Sequence, residues 1–76
     1  MNKPRRKALA DIAERLDSLR EELEALRDEE QEYMDNIPEN MQGSERYERA
    51  EAAVDALESA ISSMEEASDS IQEAIE

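Results

Sequence analysis

The side chains here that could attack a substrate, carry a proton or hold a metal are serines, two lysines and a dense set of carboxylates. There is no histidine and no cysteine. The usual general base, the thiol nucleophile and the imidazole metal ligand are therefore missing together. None of the seven serines has a histidine to activate it, and Lys3 and Lys7 lie far from most of them in sequence. Ser44 reads better as a helix cap. With no nucleophile and base to pair, the chain is expected not to be an enzyme and to need no cofactor.

The carboxylates recur at helical spacings, as in Glu65, Glu66, Asp69 and Glu73, or Glu21 and Glu24. Carboxylate-bridged metal bundles combine such residues with a Glu-x-x-His motif on inward faces. No such motif occurs, so a solvated acidic face is expected rather than a metal site. The run Lys3-Pro4-Arg5-Arg6-Lys7 could be a short nucleic-acid arm or a localisation signal. It also puts positive charge at a helix N-terminus, which the macrodipole disfavours. The acidic residues Glu65 to Glu76, equally disfavoured at a helix C-terminus, would lie beside it and offset it. That structural reading is preferred, because the net charge is −13 and there are no aromatic residues for base stacking near the run.

Charge is unevenly placed. Residues 1–27 hold seven basic and six acidic residues, a net of +1, while residues 28–76 hold two basic and sixteen acidic residues, a net of −14. The second half would repel nucleic acid or an anionic membrane surface. It could instead imitate a nucleic-acid backbone and fill a basic groove, as some small inhibitors of DNA-handling enzymes do. The plainer reading is that an acidic surface promotes solubility. No apolar run is long enough for a signal peptide or a membrane span, which gives a cytoplasmic expectation.

The elements that carry these residues follow from periodicity. With 76 residues there is one domain, and 41% of the residues are charged, a composition typical of long helices and coiled coils. In the first half Leu9, Ile12, Leu16, Leu19, Leu23, Leu26, Glu30 and Tyr33 alternate steps of three and four. In the second, Tyr47, Ala50, Val54, Leu57, Ile61, Met64, Ser68, Ile71 and Ile75 do the same. Both are heptad seams, with Leu9 and Tyr47 at position a and Ile12 and Ala50 at position d. The spacing predicts one helix over about 4–35, a loop over 36–43 and a second helix over about 45–75.

The loop is Tyr33-Met-Asp-Asn-Ile-Pro-Glu-Asn-Met-Gln-Gly-Ser-Glu-Arg-Tyr47. Pro38 ends the first helix by restricting Ile37 and lacking an amide hydrogen. Asn36 is suited to a left-handed cap and Gly43 frees the backbone before Ser44. Ser44 is a good N-cap, with Glu45 and Glu48 favourable in the first turn. The two seams then pair in one antiparallel register: Leu9 with Ile71, Ile12 with Ser68, Leu16 with Met64, and so on to Tyr33 with Tyr47, centred on Asn40. Turn chemistry and heptad pattern agree on an all-α, antiparallel two-helix coiled-coil hairpin.

At the seam's edges this register sets Arg20 beside Glu58 and Arg27 beside Glu51. Glu30 would pair with Arg46 or Arg49, and Ser68 would reach solvent where the helices fray. On the other edge Ala53, Ala60, Ala67 and Ala74 recur every seventh residue. They widen the apolar stripe beyond what one partner helix covers and let another helix approach. Two hairpins docked there would form a homodimeric four-helix bundle. Ile37, Pro38 and Met41, with Tyr33 and Tyr47, form the candidate partner-binding loop, although a plain connector is the preferred reading of that loop.

The hinge wording, with the alanine-spaced heptads after it, resembles a group of short bacterial helical-hairpin proteins of gut Firmicutes and their phages or mobile elements. The resemblance covers the hinge and most of the second helix. It implies a bacterial cytoplasmic setting and an accessory or inhibitory role, and it carries over no site residues. The expected function is therefore a non-enzymatic protein–protein interaction module that self-associates. The alternative is an acidic decoy of a basic DNA- or RNA-handling protein.

Overall fold

The computed structural model describes residues 1–76. Helix α1 spans Lys3–Asp35, a short 3-10 turn covers Glu39–Met41, and helix α2 spans Glu45–Ile75. The helices fold back on each other as a hairpin with extents of 59 × 15 × 12 Å.

The ends are capped by side chains. Asn2 accepts a hydrogen bond from the amide of Arg5 at 2.8 Å, starting α1 just before Pro4 occupies its first turn. Ser44 accepts from the amide of Tyr47 at 3.3 Å and starts α2, as its position before Glu45 and Glu48 requires. Between them the chain closes on its own backbone. The amide of Met41 donates to Pro38 at 2.8 Å and that of Ser44 to Met41 at 3.1 Å. Two turn expectations are corrected. Asn36 stays right-handed, at φ −85°, and no residue including Gly43 has a positive φ. The 3-10 turn reverses the chain with ordinary backbone angles, so neither residue needs left-handed freedom.

Helix α2 buries the expected face, with Ala50, Val54, Ile61 and Ser68 inside and Leu57 and Met64 half-buried. Helix α1 does not. Its position-d residues Ile12, Leu19, Leu26 and Tyr33 are 39%, 52%, 53% and 43% exposed. In their place Ala13 and Met34 are buried, and Arg20 and Arg27 are half-buried. The helix is turned so that positions a and e, rather than a and d, line the contact with α2. Long arginine stems can cover apolar surface while their charged heads stay wet. The turn also brings Arg20 into the field of Glu65, an attraction that favours it.

At the loop end the expected register holds, with Tyr33 against Arg46 and Glu30 sharing a cleft with Ala50. Ser68 does not fray into solvent but is 8% exposed and donates its hydroxyl hydrogen to Asp17 at 3.1 Å. The sequence pairing sets Ile12 opposite Ser68, more than one turn away along α1. The expected cross-helix ion pairs are corrected as well. Arg20 binds Glu24 at 2.7 Å and Arg27 binds Asp28 at 3.1 Å, both within α1, and every ion pair lies inside a single helix. Arg20 and Glu24 lie one turn apart on the same face of α1, a favourable spacing, while Asp28 is the sequence neighbour of Arg27.

Candidate functional site

The rotation of α1 creates the most distinctive surface of the molecule. Ile12, Leu19, Leu26 and Tyr33, seven residues apart, stand in a row along α1, each about half exposed, and Arg46 of α2 reaches only the Tyr33 end. Tyr33 shows which side of α2 this row adjoins. The guanidinium of Arg46 stacks 5.1 Å from the Tyr33 ring centre, and its Nε donates to the Tyr33 hydroxyl at 2.6 Å. Arg46 begins the heptad row that continues as Ala53, Ala60, Ala67 and Ala74. The large row of α1 and the alanine row of α2 therefore flank the same side of the hairpin. Ala53 and Ala60 are half-buried between the helices, and Ala67 and Ala74 are exposed.

The same side of α2 is free of acids. Beyond the alanine row lie Arg49, Ala56, Ser63 and Ser70, and every acidic residue of α2 sits at heptad positions b, e or f, away from this face. On the opposite side the helices meet over a polar cleft lined by Asp17, Arg20, Glu65, Ser68, Asp69 and Gln72. There the Glu24 carboxylate, by accepting a hydrogen bond, holds Arg20 above its already high pKa. In a chain of net charge −13, one long side carries an apolar row edged by Arg15, Glu22 and Glu29 of α1, and the other is a charged cleft. The sequence pointed to Ala53, Ala60, Ala67 and Ala74 but missed Ile12, Leu19 and Leu26, which it placed in the seam. Apolar Ala13 and Met34 at position e were the available signal that α1's stripe was wide enough to turn.

The loop residues separate. Ile37 is 2% exposed and packs inside, so it presents nothing to a partner. Tyr47 is half-buried, whereas Pro38 and Met41 are exposed. Glu30 shares a shallow cleft with Tyr33, Arg46 and Arg49, but it forms no ion pair there, because Arg46 is held by Tyr33 and Arg49 by Glu45.

No group of three or more carboxylates converges on a point where a cation could sit. No buried side-chain polar atom lacks a hydrogen-bond partner. No helix is long and apolar enough to cross a membrane. No protein-family model, curated protein or solved structure matches the chain.

Proposed function

We propose that this protein is a non-enzymatic interaction module that pairs with a second copy of itself through the side carrying Leu19, Leu26 and Ala60. The observation that carries the reading is the half-exposed row of Ile12, Leu19, Leu26 and Tyr33 beside an acid-free flank of α2. A continuous apolar row on a small helical hairpin marks an association surface. A net charge of −13 makes any acidic face repel a second copy. The apolar side, where α2 contributes no acid and α1 only Glu22 and Glu29 at its edge, is where two copies meet with the least penalty, and closing it completes a four-helix bundle. Mixing tagged and untagged chains tests it. The tagged chain is expected to retain the untagged one at micromolar concentration, and recovery of the tagged chain alone contradicts the reading.

A second reading draws on the acids gathered at positions b, e and f of α2. They would form the outer wall of such a bundle and suit a decoy for a basic nucleic-acid-binding protein. Added salt separates the two interactions. It weakens decoy binding and strengthens self-association, which is opposed by like charge. A bacterial cytoplasmic setting, as the hinge resemblance implies, suits either reading.

A further inference from the structure

We infer that the two copies pair with their loops at the same end, α1 of each lying on α2 of the other. This rests on the self-association proposed above and adds which helix meets which. Two symmetric arrangements press the same face against itself. With the two-fold axis along the hairpin, α1 covers the partner's α2 and the loops sit together. With the axis across the hairpin, α1 covers the partner's α1, α2 covers the partner's α2, and the loops lie at opposite ends.

Side-chain size separates them. The row on α1 is large, Ile12, Leu19, Leu26 and Tyr33, and the row on α2 is small, Ala53, Ala60, Ala67 and Ala74. Loops together, Ile12, Leu19 and Leu26 meet the partner's alanines, Tyr33 meets the partner's Arg46, and the layer between the leucines has even thickness. Loops apart, large meets large and small meets small. The gap is then propped open on the leucine side and left void on the alanine side.

Charge leans the same way by one contact. The outer edge of the α1 row carries Arg15, Glu22 and Glu29, and that of α2 carries Arg49 followed by Ala56, Ser63 and Ser70. With the loops together, Glu29 comes within reach of the partner's Arg49, and Glu22 lies over the partner's Ala56. With the loops apart, Arg15 meets the partner's Glu29 on either side of the axis, but Glu22 meets the partner's Glu22 at it, a like-charge contact that the loops-together pairing lacks.

The chain has no cysteine, so Asn40→Cys places one spin label in the exposed loop of each copy without touching the face. Pulsed dipolar spectroscopy then reads the separation. Helices in contact lie about 10 Å apart, so loops together give a distance on the order of 25 Å. A distance approaching the 59 Å length of the molecule overturns the orientation and leaves self-association standing. Absence of any dipolar signal at concentrations well above micromolar overturns self-association itself, and this inference with it.

Discussion

Replacing Leu19 and Leu26 together by alanine separates an uncovered surface from a hairpin core. Each is about half exposed, at 52% and 53%. Full burial of a leucine is worth roughly 1.5–3 kcal/mol, so the half still open to water offers about 1 kcal/mol per side chain when covered. In a symmetric dimer each of the two leucines occurs twice. The double substitution Leu19→Ala with Leu26→Ala then costs four such contributions, about 4 kcal/mol, or roughly a thousandfold in Kd at 1.4 kcal/mol per tenfold. Alanine is the better helix former, so α1 keeps its helicity. Sedimentation equilibrium measures the dimer constant, and circular dichroism at the same concentration checks the helices. A helical variant that dimerises as tightly as the parent refutes the assignment of the α1 row to the interface.

Other expectations follow from single contacts. Glu29→Arg weakens the dimer about tenfold, a few charge-pair tenths of a kcal/mol plus new repulsion from the partner's Arg49. Adding Arg49→Glu restores it, and failure of that rescue in the same sedimentation assay contradicts the loops-together pairing. Gly43→Ala raises stability by about 0.4–1 kcal/mol, because its φ is ordinary and a Cβ there meets nothing within 4 Å. Thermal unfolding reads this as a higher Tm, and a lower one means the turn needs glycine after all. A double-mutant cycle with Asp17→Ala and Ser68→Ala yields a coupling of about 1 kcal/mol in urea unfolding, discounted because Asp17 is exposed. A coupling near zero removes this bond as a register device.

The hairpin was legible because two independent signals agreed. Pro38 with Ser44 marks one stop and one start, and the heptads on either side mirror each other about that loop. Heptads locate a stripe but do not say which edge of it faces the partner. On α2 the large apolar residues are bounded on one edge by Glu51, Glu58 and Glu65 and on the other by alanines, and Ala50, Val54 and Ile61 are buried as read. On α1 the stripe is wide, running from Leu19 and Leu26 across Leu16 and Leu23 to Ala13 and Met34. A rotation of one position changes which residues are buried without breaking the pattern. In the turned helix Arg20 and Arg27 are half-buried at the edge of the seam. The same turn moved Ser68 from a frayed end to a bond with Asp17. It also gave the alanine row of α2 a large-residue neighbour that periodicity alone had placed inside.

Mass in solution tests the central claim most directly. The hairpin is elongated, with a long axis of 59 Å, so elution volume alone would overstate its size. Light scattering after size exclusion removes that ambiguity. Over a concentration series spanning micromolar to millimolar chain, self-association predicts a weight-average mass rising to twice the 8.7 kDa of one chain and stopping there. A mass that stays at 8.7 kDa throughout, in a sample that remains helical, contradicts it.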